Sequence, residues 1–198
     1  MAPLWKELAN WPNFFTVLRI FLIPVVVAFL TDPGPEAALA ATATFFLASL
    51  SDFLDGYLAR RYGLATTLGK LLDPLADKLI VAAVLVMLVA MEREPQVPGW
   101  AVAVVISREI AVTGLRALAL AHGVVIEAET LGKYKMALQM VALHGLLLHY
   151  PFFGIDFFSV GMYFFWLALA VGVWSGLEYF RHVLPQLWRT GVQSPAGG

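Results

Sequence analysis

Two neighbouring stretches place acidic residues where apolar helices are expected: SDFLDGYLAR at 51–60 and GKLLDPLADK at 69–78. Asp52 and Asp55 are three residues apart and Asp73 and Asp77 are four apart, so each pair lies on one face of its helix. A lone aspartate at the centre of a membrane helix costs about 2.5–3.5 kcal/mol. Clustered carboxylates stay ionised only beside cations, and their oxygens favour Mg²⁺, Mn²⁺ or Ca²⁺. The pattern predicts a metal site; helix caps at the interface are the alternative.

The composition of the whole chain indicates a membrane protein. Of its 198 residues, 60% are hydrophobic and 14% charged, and the mean hydropathy is +0.78. Soluble domains average about 45–50% apolar and about 25% charged residues. The 13 Lys and Arg against 14 Asp and Glu leave no basic excess, which argues against a nucleic-acid partner. The absence of cysteine excludes disulfides, thiolate nucleophiles and Cys-ligated metals.

Breaks rich in Pro, Gly and charge divide the chain into six apolar segments, each long enough to cross a bilayer. A short interfacial helix is expected within residues 1–12, and a disordered tail within 185–198. No internal repeat or linker is present, so 1–198 is predicted to be a single domain. The fold class expected is all-α, a polytopic membrane protein with six transmembrane helices at 13–31, 36–59, 69–91, 98–120, 133–150 and 157–179.

The distribution of basic residues predicts the orientation of these segments. With the N-terminus in the cytoplasm, Arg93 lies outside and Lys78 and Arg108 lie too deep in the membrane to count. The remaining ten of the 13 Lys and Arg then lie at cytoplasmic ends, as the positive-inside rule requires. Both termini are therefore predicted to be cytoplasmic.

The residues from 52 to 77 read Asp-x2-Asp-Gly-x2-Ala-Arg-x8-Gly-x3-Asp-x3-Asp. This stretch resembles the signature of the CDP-alcohol phosphatidyltransferases at all eight of its fixed positions. Further residues at 12–19, 108–116, 132–139 and 174–179 resemble the phosphatidylglycerophosphate synthase branch of that family. The resemblance therefore extends from the first apolar segment to the sixth.

The resemblance implies a bacterial inner-membrane enzyme, a homodimer, with its site open to the cytoplasm. Such an enzyme transfers the phosphatidyl group of CDP-diacylglycerol to sn-glycerol 3-phosphate and releases CMP. It also implies two divalent cations, Mg²⁺ or Mn²⁺, with Asp77 as the catalytic base and four metal ligands: Asp52, Asp55, Asp73 and Asp77.

The small residues of the signature are interpreted as the surface that receives the CDP-lipid. Gly56, Ala59 and Gly69 leave room for the cytidine. Arg60 is a candidate for the pyrophosphate of the CDP-lipid, and an anchor at the membrane interface is the alternative for this residue. Close helix packing is the alternative interpretation of the small residues, because such residues are common where membrane helices touch.

A phosphorylated acceptor needs cations, and four basic residues are candidates for its phosphate: Arg108, Arg116, Lys133 and Lys135. A buried ion pair is the alternative for Arg108, and contact with lipid headgroups is the alternative for the two lysines. Glu109 points to another part of its helix, so we do not expect it to pair with Arg108. Two further candidates lie in the first segment: Thr16 and Arg19.

Two other functions remain open at this point. The same chemistry could use inositol phosphate, phosphatidylglycerol or serine as its acceptor. A cation transporter could use the Asp cluster, although the second half of the chain carries no repeat of the pattern, as many transporters would.

Overall fold

The computed structural model of the chain describes residues 11–62, 67–123 and 130–192, without the side chains of 11–13, 53, 55–60, 62, 67–71, 130 and 189–192. The expected all-α class is confirmed, with one two-stranded hairpin added. The expected interfacial helix lies almost wholly outside the described residues. The elements are α1 (Trp11–Leu30), α2 (Pro35–Tyr62), α3 (Thr67–Ala90), α4 (Gly99–Ala121), α5 (Thr130–Leu148), β1 (Pro151–Phe152), β2 (Ile155–Asp156) and α6 (Phe157–Val192).

Local sequence explains where the helices begin. Before α2, the carboxylate of Asp32 accepts a hydrogen bond from the backbone N–H of Gly34 at 2.7 Å, and Pro35 then occupies the first helical position, where no N–H is needed. Before α6, the carboxylate of Asp156 accepts bonds from the N–H and the hydroxyl of Ser159 at 3.2 and 2.5 Å. These bonds lower the pKa of Asp156. The first five helices begin and end within three residues of the segments predicted from the sequence.

The sixth helix is longer than the sequence predicts. It runs 36 residues to Val192, through Pro185, so the prediction of disorder from 185 onward is wrong as far as residue 192. A proline inside a helix removes one backbone hydrogen bond, but packing can offset that loss. Here Leu187 packs against an apolar cluster that includes Tyr179 and Val183, which keeps the chain helical beyond the proline.

The contacts of the chain form two compact units. The first unit takes in α1, α2, α3 and the hairpin, with the adjoining ends of α5 and α6. In this unit α1 packs against α2 and α3. Thr16 contacts Asp73 and Arg19 contacts Asp77, so α1 and α3 run in the same direction. Helix α2 runs oppositely, because a short turn joins it to α1.

Three segments that connect consecutive helices meet at one end of the first unit. The Arg93 side chain, 4% exposed, donates to the carbonyl of Asp32 at 2.5 Å and lies 5.9 Å from the centre of the Tyr150 ring. Tyr150 donates to the carbonyl of Pro33, and His149 lies 3.2 Å from the carbonyl of Glu94. Burial lowers the pKa of Arg93. These contacts join the α1–α2, α3–α4 and α5–α6 connections at one end of the first unit.

The second unit consists of α4, most of α5 and most of α6. Trp100 pairs with Trp166 at one end of α4, and Arg116 lies over Tyr179 towards the other end. Residue numbers rise together along both helices, so α4 and α6 are parallel. Their apolar contact includes Val112, Leu115, Ala119, Tyr179 and Val183.

One described helix is long and apolar enough to cross a membrane by itself. It is Phe157–Trp188, with a mean hydropathy of 1.8, and Phe14–Leu30 is a shorter apolar helix. The expectation of six spans goes further than this finding. The helices α2 to α5 carry the charged residues of the predicted site, and these residues lower their hydropathy.

Two helix backbones meet in the first unit at Gly145 of α5 and Gly161 of α6. A Cβ atom at 145 would lie 2.7 Å from the Gly161 Cα and 2.9 Å from the Phe157 carbonyl oxygen. Because these neighbours are backbone atoms, they cannot rotate away. We expect Gly145→Ala to lower the free energy of unfolding by about 1–3 kcal/mol, measured by thermal unfolding in detergent.

Gly114→Ala is the matched control for this substitution. A Cβ at position 114 of α4 meets nothing within 4 Å, and alanine favours a helix over glycine. Equal melting temperatures for the two variants would contradict the close contact between α5 and α6.

Candidate active site

Asp52, Asp73 and Asp77 lie around α1 and form the acidic site, and Arg19 of α1 is its central side chain. It is 1% exposed, and its Nη2 lies 3.0 Å from the Oδ1 of Asp52 on α2. Its Nη1 lies 2.8 Å from the Oδ1 of Asp77 on α3. Adjacent nitrogens of one guanidinium therefore hold carboxylates from two helices. This charge-assisted pairing offsets the cost of bringing the two acids together.

Thr16 adds a third aspartate from one turn earlier on α1. Its hydroxyl, buried at 1% exposure, donates to the Oδ1 of Asp73. Sequence reasoning gave Thr16 and Arg19 no defined role. Their signal was nonetheless readable, since two polar residues spaced i, i+3 on an apolar helix share one face and need partners there. The structure therefore makes α1 part of the acidic site.

The donor chemistry of this site fits a divalent cation. Asp52, Asp73 and Asp77 offer carboxylate oxygens, which are the ligands that Mg²⁺ and Mn²⁺ prefer. Asp52 is 36% exposed and Asp77 20% exposed, so an ion can reach them. Within the described side chains, no three acidic or imidazole groups are close enough to hold a metal together. The side chain of Asp55, the fourth predicted ligand, lies outside those described.

The predicted CDP-lipid residues belong to the same two helices. Gly56, Ala59 and Arg60 are in the last turns of α2, and Gly69 is in the first turn of α3. What their side chains contact lies outside the described residues. Their role stays a prediction.

A second polar cluster lies in the second unit, where α4, α5 and α6 meet. Arg108 of α4 donates from Nε to the carbonyl of Gly172 at 2.9 Å and from Nη2 to the hydroxyl of Ser175 at 2.7 Å. Its Nη1 lies 2.9 Å from the Oε1 of Glu109. Lys135 of α5 donates to that same oxygen. Arg108 and Lys135, both predicted to bind a phosphate, are thus joined by one carboxylate.

The expectation that Glu109 would not pair with Arg108 is wrong. Neighbouring residues leave a helix in different directions, but both of these side chains are long enough to bend and meet beside the helix. A guanidinium has five N–H donors, and the three contacts described engage three of them. Among the side chains that the structure describes, two N–H groups of Arg108 are left for another acceptor.

The other two predicted phosphate ligands lie apart from this cluster. Arg116 faces α6, as Arg108 does, but its guanidinium lies 5.7 Å from the centre of the Tyr179 ring. Lys133 is exposed, whereas Lys135, two residues on, is 6% exposed. The structure brings Arg108 and Lys135 together and places Arg116 and Lys133 elsewhere.

Comparison with known proteins assigns the class. Residues 9–174 match the family CDP-alcohol phosphatidyltransferase, and the chain therefore belongs to that family. The resemblance seen in the sequence is confirmed.

The similar proteins narrow the class further. The CDP-diacylglycerol–glycerol-3-phosphate 3-phosphatidyltransferase of Bacillus subtilis is 42% identical over 183 residues, covering 86% of this chain and 93% of that protein. The protein of the same name from Pseudomonas fluorescens is 39% identical over 185 residues, covering 92% and 94%. A cardiolipin synthase (CMP-forming) from Oryza sativa is 34% identical over 198 residues, covering 92% of this chain and 59% of that protein.

Proposed function

We propose that this chain transfers the phosphatidyl group of CDP-diacylglycerol to sn-glycerol 3-phosphate, giving phosphatidylglycerophosphate and CMP. Bacterial relatives that match nearly their whole length carry the name of this reaction. The observation that carries the proposal is that three aspartates contact side chains of α1. Asp52 and Asp77 contact Arg19, and Asp73 contacts Thr16. All three aspartates occupy signature positions of the family.

The reaction requires an acceptor oxygen to bond to the phosphorus that bears the diacylglycerol, while the bond from that phosphorus to CMP breaks. Asp77 accepts the hydroxyl proton, and Arg19 orients its carboxylate. Two divalent cations, Mg²⁺ or Mn²⁺, bound by Asp52, Asp55, Asp73 and Asp77 would neutralise the charge of the pyrophosphate. The CDP-lipid lies against the surface of Gly56, Ala59, Arg60 and Gly69.

The acceptor phosphate binds Arg108 and Lys135 in this proposal. The two remaining N–H groups of Arg108 can bind two phosphate oxygens, a geometry that guanidinium groups favour. Burial of Lys135 strengthens its attraction for a dianion. Arg116 and Lys133 assist from their separate positions, through the field of their charges.

The proposed setting is the bacterial inner membrane, with six spanning helices, cytoplasmic termini and a homodimer of single-domain chains. Large apolar side chains face outward on several helices, among them Phe21 (71% exposed), Ile110 (68%) and Trp174 (68%). Such side chains favour lipid over water. The alternating directions of α1, α2 and α3 and the positions of Lys and Arg support the same arrangement.

The purified protein should release CMP from CDP-diacylglycerol only when sn-glycerol 3-phosphate and a divalent cation are both present. A chelator should stop the release, and added Mg²⁺ or Mn²⁺ should restore it. The aspartates and the pyrophosphate are all negatively charged, so only the cations can neutralise them. CMP is measured by chromatography, with reactions lacking acceptor as controls. Release that persists in excess chelator would contradict the metal-dependent mechanism.

The same assay separates the alternative functions. The similarity to a cardiolipin synthase makes phosphatidylglycerol the second candidate acceptor. CMP release with phosphatidylglycerol, serine or inositol phosphate in place of glycerol 3-phosphate would retain the chemistry and replace the acceptor. If the folded protein releases no CMP with any acceptor, the cation transporter becomes the function to test.

A further inference from the structure

Glu109 has no role in the proposed reaction described so far, although it contacts the two basic residues proposed to bind the acceptor phosphate, Arg108 and Lys135. Its Oε1 accepts hydrogen bonds from Arg108 Nη1, at 2.9 Å, and from Lys135 Nζ. The three side chains are 22%, 16% and 8% exposed, so they meet largely away from water. Charges in such surroundings interact more strongly than on an open surface.

Helix α6 fixes the stems of the two cations. A Cβ atom added to Gly176 would lie 3.3 Å from the Cγ and Nε of Arg108. A Cβ added to Gly172 would lie 3.5 Å from the Cγ of Lys135. Both glycines therefore bring α6 close to the side chains of the cluster. With the stems confined in this way, the carboxylate of Glu109 decides how near the two charged ends come to each other.

The charges of the cluster show what this carboxylate does. Two cations and one anion carry a net charge of +1, which still attracts a phosphate dianion. Without the carboxylate, the guanidinium and the ammonium would repel each other and separate. A pair of cations held in place loses less freedom when a ligand binds, and this increases affinity.

We infer that Glu109 is a positioning residue that holds Arg108 and Lys135 at the separation that the acceptor phosphate needs. The inference rests on the proposed function, since it takes the acceptor to be phosphorylated. Glu109 acts through its two partners and does not itself contact the substrate.

The test compares the kinetic constants of Glu109→Gln and Glu109→Asp for each substrate separately. In Glu109→Gln the KM for sn-glycerol 3-phosphate should rise about ten- to a hundredfold, because the two cations are misplaced. The KM for CDP-diacylglycerol should stay unchanged. Glu109→Asp keeps the charge on a shorter stem and should give an intermediate KM for the acceptor. Glu36→Gln, at an exposed position in the first turn of α2, is the matched control and should behave as wild type.

Several outcomes would overturn this role. An acceptor KM that is unchanged or lower in Glu109→Gln would mean that net positive charge alone binds the phosphate. Equal rises of both KM values would indicate general damage to the fold. If Glu109→Gln fails to fold, an unchanged acceptor KM in Glu109→Asp overturns the role. Failure of the proposed function is seen separately, in wild-type protein that does not use glycerol 3-phosphate.

Discussion

Asp77→Asn should reduce CMP release by about a hundred- to ten-thousandfold, the usual contribution of a general base. Asparagine has the same shape and keeps an oxygen that can accept the bond from Arg19 Nη1, which is 2.8 Å long in the structure. The substitution therefore removes the charge and the basicity of the side chain while its position is retained. The measurement is the rate of CMP release at saturating substrates and Mg²⁺.

Asp32→Asn is the matched control for this experiment. Asp32 lies in the α1–α2 turn, where its carboxylate accepts a bond from the N–H of Gly34, and an asparagine oxygen can accept the same bond. This variant should keep wild-type activity. A residual rate above about a tenth of wild type in a folded Asp77→Asn protein would mean that another group takes the proton, since a general base contributes far more.

Arg19→Met should nearly abolish activity and also lower stability. Removing the partner of buried charges costs about 3–5 kcal/mol, and we expect the lower end of this range because Asp52 is 36% exposed. Without Arg19, the carboxylates of Asp52 and Asp77 are no longer held together. Thermal unfolding and CMP release are measured with and without Mg²⁺. Divalent cations should raise the melting temperature of the variant more than that of the wild type, because the acids then depend on the metal alone.

Two further variants separate charge from geometry at this position. Arg19→Lys keeps the charge, but a single ammonium cannot match the fork of a guanidinium, so intermediate activity is expected. Arg181→Met removes an exposed arginine from α6 and should change neither activity nor stability. Wild-type stability in Arg19→Met would mean that Arg19 does not hold the aspartates together.

The sequence alone determined the helices and the chemistry of the signature. Apolar runs broken by Pro, Gly and charge located five helices to within three residues, because each pattern is local and each helix satisfies its own backbone hydrogen bonds. Four aspartates at helical spacing on apolar helices indicated a site that needs cations. The eight signature positions then assigned the family, which the match over residues 9–174 confirms.

The tertiary structure decided which residues complete each site. Arg19 and Thr16 lie more than thirty residues from the aspartates they contact, and nothing local in the sequence pairs them. Glu109 joins Arg108 to Lys135 because long side chains can bend to meet, which helical spacing does not describe. Helix α6 continues past Pro185 because Leu187 packs against Tyr179 and Val183. The physical reason is the same in all three cases. The interaction energy of two side chains depends on their distance in space, whereas a sequence pattern gives only their distance along the chain.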